Sequence, residues 1–173
     1  MNLIVTCARN LEGEAEEEII DILDELGDSD IKISVSNMSG IITIQTKLDP
    51  IEVVRKMKEI LLDEPWSIRY CLRVIPIQKI VETNLEKIQE CISSISDKIE
   101  DDESYRILIE KRNSDISSKE IITNIANQIK NKVSLDYPDK IILIEILGIV
   151  TGISLIKKSD ILSLEKTKRS MSE

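Results

Sequence analysis

The sequence predicts a mixed α/β protein built from two successive units and a short tail. Three observations carry that expectation. Between Met1 and Pro76, alternating stretches and helical periodicities follow one another as strand, helix, strand, strand, helix, strand. From Ile77 to about Leu164 a second series reads helix, strand, helix, loop and strand hairpin. The chain has 173 residues, 42% of them hydrophobic, which suffices for one large or two small cores although 32% are charged.

In the first series, Leu3, Val5 and Cys7 share one face of a strand, and Ala15, Ile19, Ile22, Leu23 and Leu26 then form one face of a helix. Gly27 stands where a left-handed C-terminal cap is wanted. Ile31, Ile33 and Val35 alternate with Lys32, Ser34 and Ser36, and after the turn residues Asn37 to Gly40 a third strand continues through Ile42 and Ile44. Asp49-Pro50-Ile51-Glu52 opens the second helix with an N-cap acceptor, a proline in the first turn and an early acid; Val54, Met57 and Leu61 face inward. Ile68 to Ile75 supplies the fourth strand. The order βαββαβ over residues 1–76 is that of a ferredoxin-like unit, two helices on one face of an antiparallel sheet. RNA-recognition motifs share this order but stack bases on central-strand aromatics, and this chain has no Phe.

The second series begins after a linker from Pro76 to Thr83. Thr83-Asn84-Leu85-Glu86 has the spacing of a capping box, and Leu85, Ile88, Ile92, Ile95 and Ile99 recur at helical intervals up to the acidic stop Glu100 to Glu103. Tyr105 to Lys111 alternates as a strand and delivers the pair Lys111-Arg112 to a loop. Ser117-Ser118-Lys119-Glu120 is a second capping box, followed by Ile122, Ile125, Ala126 and Ile129 as one apolar face. After a proline-containing loop, Ile141 to Leu147 is almost continuously apolar, as expected of a strand covered on both faces, and Gly148 and Gly152 flank a turn into the last strand. Residues 165–173, with Lys166, Lys168 and Arg169, lack apolar periodicity and are expected to be a mobile basic tail.

Composition narrows the chemistry. The absence of His removes Ser-His and Cys-His nucleophile pairs and His-containing metal sites, and Cys7, Cys71 and Cys91 have neither zinc spacing nor disulfide density. No phosphate-binding loop or dinucleotide glycine pattern occurs, so the expectation is a protein without its own catalysis, cofactor or metal. Leu3 to Thr6 is too short for a secretory signal, and the apolar run Ile141 to Ile156 is shorter than a span and contains Glu145; a cytoplasmic protein with no membrane partner is expected. The net charge of −9 is uneven: residues 1–66 hold 6 basic and 15 acidic residues, whereas residues 67–173 hold 17 of each. Residues 104–169 count 12 basic against 8 acidic, so a local positive face is compatible with the acidic whole. The acids of the first helix, Glu12 to Asp21, suit its N-terminal dipole or form a partner-binding face.

Residues 104–158 resemble the C-terminal part of a THUMP domain. The matching features are Glu110-Lys111-Arg112 closing a strand, Ile121-Ile122 and Ala126 in the helix, Lys132-Val133-Ser134-Leu135-Asp136-Tyr137-Pro138-Asp139 in the loop, Glu145 in the next strand, and Gly152-Ile153-Ser154. The departure is Ser134, where the family usually carries an acid. The resemblance implies a tRNA-binding module over residues 77–164. Within the family the chain most resembles stand-alone members that act as tRNA-binding partners of the RNA cytidine acetyltransferase. That resemblance implies an adaptor presenting tRNA to a separate enzyme for N4-acetylcytidine formation.

Candidate RNA-binding residues are Arg69, Arg73 and Lys79 around the junction, Lys111 and Arg112 after a strand, Gly152 and Ser154 in the family pattern, and Lys157 and Lys158 after the hairpin. Arg offers phosphate a planar fork and Lys a point charge, and strand ends let both reach a nucleic-acid backbone, provided the groups converge. Ion pairing with the acidic half explains Arg69 and Arg73 equally well. Two other classes stay open. One is a structural subunit without RNA contact. The other is a small acyl phosphate or phosphate-ester hydrolase, since Arg9-Asn10 after the first strand faintly resembles an acylphosphatase phosphate cradle, although the accompanying glycines are absent and Glu12 to Glu18 disfavour phosphate nearby.

Overall fold

The computed structural model describes residues 1–35 and 37–173. In chain order the elements are β1 Leu3–Thr6, α1 Glu12–Glu25, β2 Lys32–Val35, β3 Ile41–Gln45, α2 Pro50–Asp63, β4 Arg73–Pro76, β5 Lys79–Glu82, α3 Leu85–Ser96, β6 Tyr105–Arg112, α4 Ser118–Gln128, β7 Lys140–Leu147, β8 Val150–Ile156, β9 Leu162–Ser163 and α5 Leu164–Met171. The expected alternation of β2 extended to Ser36, which lies outside the described residues. Two compact units result: Met1–Ile77 with Ser159–Glu173, and Gln78–Lys158.

The first unit has a sheet of order β2-β3-β1-β4-β9, every pair antiparallel, and its first four strands follow the ferredoxin-like order. Helices α1 and α2 bury Ala15, Ile19, Leu23, Val54, Met57 and Leu61 against Leu3, Val5, Ile42, Ile44 and Val74. The start of α2 is built as its sequence dictates: the Asp49 carboxylate accepts from Ile51 N at 2.8 Å and Glu52 N at 3.2 Å, with Pro50 in the first turn. Gly27 closes α1 at φ 110°. Gly40 has φ 75°, and a Cβ there would stand 2.6 Å from the Cys7 carbonyl oxygen, so the close approach of β3's entry to β1 requires glycine.

Two expectations are corrected in this unit. The fourth strand is only Arg73–Pro76, because the backbone amides of Arg69, Tyr70 and Cys71 donate instead to the Glu18 carboxylate, at 2.8, 3.0 and 2.9 Å. A side-chain acceptor on α1 thus holds in loop form the segment that alternation extended as strand. The chain's end is the second correction. The basic tail expected to be mobile is α5, and just before it β9 pairs with β4, Arg73 opposite Ser163 and Val74 opposite Leu162. Leu162 and Leu164 are buried in the first core, two anchors too few to show as a periodicity.

The second unit has a sheet of order β5-β8-β7-β6, in which β6 and β7 are parallel and the other pairs antiparallel. Parallel neighbours need a crossover, and α4 supplies it. Ile88, Ile92 and Ile95 of α3, with Ile121 and Ile125 of α4, pack on Ile142, Ile144, Ile146 and Ile153. The expected linker contains a strand, β5, whose alternation is too short to stand out in the sequence. Helix α3 is capped one residue later than the spacing indicated: the Asn84 side chain accepts from Lys87 N at 3.2 Å, while the Thr83 hydroxyl pairs with that of Thr151 at 2.8 Å. The inner face of α4 is Ile121, Ile125 and Ile129; Ile122 and Ala126 are exposed, a register error of one residue within an isoleucine doublet. Gly148, at φ 62°, makes the hairpin turn, but Gly152 lies inside β8 opposite Glu145. Among the described residues no helix is long and apolar enough to cross a membrane.

Candidate functional site

The strand directions of the second unit set the geography of its cations. The C-terminal ends of β5, β6 and β7 share one end of the sheet with the start of β8: Arg112 is in register with Leu147, Leu147 with Val150, and Val150 with Glu82. Helix α3 starts from β5 through Thr83 and Asn84, and α4 starts from β6 through residues 113–117, so both helix N-termini open at this same end. The caps, Asn84 on Lys87 N and Ser117 on Glu120 N, each satisfy one amide, and the remaining first-turn N–H groups give the end a partial positive field. Asn113, in the left-handed region at φ 54°, turns the chain away from β6 toward α4.

Lys111 and Arg112 both sit at this end, on opposite faces of β6. The Lys111 side chain is exposed and its Nζ donates to the Ile116 carbonyl at 2.9 Å, which holds the ammonium over the loop that leads into α4. Arg112 has another partner. Its Nη1 lies 3.4 Å from Oε2 of Glu145, a fully buried carboxylate on β7, and the arginine side chain is itself only 30% exposed. The pair assigned from sequence to one task is therefore divided, Lys111 toward solvent and Arg112 toward a buried acid.

The remaining candidates lie elsewhere. Lys157 and Lys158 follow β8 at the opposite end of the sheet, where Ile156 pairs with Ile141 at the start of β7. At about 3.3 Å per residue the two ends are roughly 20 Å apart. Convergence of Lys111, Arg112, Lys157 and Lys158 on one spot, which the sequence reading required, does not occur. Lys79 opens β5 opposite Ile153 and is exposed. Gly152 and Ser154 are buried in β8, and the Ser154 hydroxyl accepts from Gln78 N at 3.0 Å, so both are engaged in sheet construction. Arg69 and Arg73 belong to the first unit: Arg69 Nε donates to the Trp66 carbonyl at 3.2 Å, and Arg73 is half-buried in β4.

The loop between α4 and β7 is tightly tied. Ser104 N donates to Asp139 Oδ2 at 2.8 Å, and that amide, with the Ser104 hydroxyl, holds the Asp139 carboxyl below its ordinary pKa. The Ser134 hydroxyl accepts the Tyr137 N–H at 3.2 Å.

These features sit in the stretch that the family comparison picks out: the THUMP domain family matches residues 82–156. Residues 82–156 are a THUMP domain. No curated protein matches the chain. Among solved structures, PH1313 from Pyrococcus horikoshii is similar over 91% of this chain and 55% of its own, at 20% identity and TM-score 0.62. TrmN from Thermus thermophilus matches over 88% and 44%, at 13% identity and TM-score 0.60. A possible methylase from Clostridium difficile matches over 89% and 40%, at 18% identity and TM-score 0.56. At these identities the likeness is one of fold, and it extends through the ferredoxin-like unit as well as the THUMP domain. The chain spans about half the length of these structures or less.

Sequence reasoning missed the two helix N-termini at the Lys111 end, which only strand direction reveals. It also missed the Arg112 to Glu145 pair. A lone acid in an otherwise apolar strand was the available signal, because a carboxylate at such a position calls for a cation. Among the described residues no group of three or more Cys, Asp or Glu is arranged to hold a metal ion.

Proposed function

We propose that this chain is a tRNA-binding adaptor whose THUMP domain meets the RNA backbone at the end of its sheet that carries Lys111 with the N-terminus of α4 on one edge and the N-terminus of α3 on the other. The observation that carries the reading lies within residues 82–156: an exposed ammonium held over the entry to α4, beside that helix's first-turn amides, with the first turn of α3 opening at the same end of the sheet on its other edge, is an arrangement that favours phosphate. Catalysis belongs to a separate protein. The acetyltransferase reading, in which the partner forms N4-acetylcytidine, follows from the resemblance of this chain to stand-alone adaptors. A methylase partner is the competing reading, favoured by the shared fold with a possible methylase of more than twice the matched length.

The test is a gel-shift titration of total tRNA against duplex RNA at several salt concentrations, followed by addition of candidate acetyltransferase or methylase subunits to the protein–tRNA mixture. Binding that prefers tRNA and weakens as salt rises supports the reading. Equal or absent binding to both RNAs contradicts it, and product formation with one partner class only decides between the chemistries.

A further inference from the structure

At the end of the second sheet opposite Lys111, the loop from Lys130 to Asp139 carries three apolar side chains outward at alternate positions: Val133 is 51% exposed, Leu135 65% and Tyr137 88%. This strip is displayed on a fixed backbone. Tyr105 N donates to the Lys132 carbonyl and Ser134 N to the Tyr105 carbonyl, both at 3.0 Å, so Val133 bridges the edge strand β6. Arg106 Nη1 donates to the Leu135 carbonyl at 3.1 Å, the Ser134 hydroxyl holds Tyr137 N, and Asp139 is tied to Ser104. A loop so restrained has little conformational entropy left to lose when something packs on it.

The chain has only four aromatic residues, one Trp and three Tyr. Tyr105 is buried, Tyr70 half-buried and Trp66 lies in the first unit, which leaves Tyr137 as the aromatic displayed by the THUMP domain. The loop brings its own cations, Lys130 and Lys132, both exposed, while Lys157 and Lys158 follow β8 at the same end of the sheet, two strand spacings or roughly 10 Å across it from β6, whose outer edge Val133 bridges. Of the nearby acids, Asp139 is turned onto Ser104 and Glu103 lies 3.8 Å from Lys140, while Asp136 and the turn Glu100 to Asp102 face solvent. An exposed aromatic on a rigid loop flanked by lysines is the arrangement on which an unpaired base stacks while its phosphates meet the cations.

We infer that the Val133–Tyr137 strip is a second RNA contact, in which Tyr137 stacks on an unpaired base and Val133 and Leu135 pack against its sugar or edge. This rests on the RNA-binding reading above and adds to it a site and a ligand class, single-stranded nucleotide, at the far end of the sheet from Lys111. It also gives Lys157 and Lys158, which do not converge with Lys111, a place in binding.

The experiment uses the full chain, fluorescently labelled hairpin RNAs with and without a short single-stranded extension, and Tyr137→Ala and Tyr137→Phe variants read by anisotropy. The wild-type protein should prefer the extended hairpin. Tyr137→Ala should weaken that complex about 5- to 100-fold, with little change on the blunt hairpin and an unchanged salt slope, because stacking releases no counterions. Tyr137→Phe, which keeps the ring, should stay near wild type. Since the side chain is exposed, the melting temperatures of both variants should match the parent's, so folding does not confound the result. Unaltered affinity of Tyr137→Ala for the extended hairpin overturns the inference and leaves the apolar strip to a protein partner. A loss in Tyr137→Phe equal to that in Tyr137→Ala also overturns it. Failure of the wild-type protein to bind either RNA overturns the tRNA-binding reading itself, an outcome separate from both.

Discussion

Arg112→Ala is expected to unfold the THUMP domain more easily, whereas Lys111→Ala, one residue away, is not. The magnitude follows from the pair. At 3.4 Å and an effective dielectric near 20, the attraction between the Arg112 guanidinium and the buried Glu145 carboxylate is about 5 kcal/mol. The desolvation of Glu145 and the partial exposure of Arg112 offset part of it, and deleting the cation leaves a buried carboxylate with less compensation, so a net loss of about 2–3 kcal/mol is expected. For a chain of this size that corresponds to roughly 4–12 °C in melting temperature. Lys111 is exposed, and replacing it should cost under about 0.5 kcal/mol. Thermal melts of the two single variants and of Arg112→Lys, followed by far-ultraviolet circular dichroism, make the comparison. An Arg112→Ala protein melting with the parent would refute the reasoning, since a buried carboxylate would then be indifferent to its cation.

Other expectations concern the first unit and pH. Gly40→Ala must place a Cβ against the Cys7 carbonyl in a left-handed backbone and should cost about 2–4 kcal/mol, read as a lowered urea midpoint with unchanged slope. Glu18→Ala releases three backbone amides and should cost about 1.5–3 kcal/mol, whereas the same change at neighbouring Glu17, exposed on α1, should leave the midpoint within about 0.5 kcal/mol. Asp28, held below its usual pKa first by the Thr46 hydroxyl and then by Lys47 N, and Asp139, held down by Ser104, are more acidic folded than unfolded. Their contribution is therefore complete above about pH 4 and is lost as pH falls through the folded values, so stability measured from pH 6 to pH 2 should drop on the acid side of the ordinary carboxylate range. Burial pushes the Cys71 and Cys7 thiols up, so neutral-pH alkylation of the native protein should spare both until denaturant is added.

Much of the fold was legible because its signals are local. Asp49-Pro50, Gly27 and the Ser117 cap act within one turn of helix, and the βαββαβ order follows from the sequence of periods alone. What was not legible depends on distant partners. The segment before Arg73 alternates like a strand, yet its amides go to Glu18, some fifty residues earlier in the chain. The terminal residues look like a tail because Leu162 and Leu164 make sense only against the first core. In the candidate site, the family pattern drew attention to Lys111 and Arg112 as a pair although adjacent residues of a strand face opposite ways, and the partner that engages Arg112, Glu145 on β7, is set by strand register rather than by any local spacing. Nor can it say that Lys157 and Lys158 stand at the other end of the sheet, which follows from β8 running antiparallel to β7.

The central claim, that the Lys111 end of the THUMP domain meets an RNA backbone, is tested most directly by the salt dependence of tRNA binding to the wild-type protein and to Lys111→Ala. Each phosphate neutralised by a lysine contributes about 0.7 to 0.9 to the slope of log affinity against log salt. The wild-type protein should give a negative slope, and Lys111→Ala a slope shallower by that amount with an unchanged melting temperature. Parallel lines for the two proteins, at equal stability, would contradict the claim.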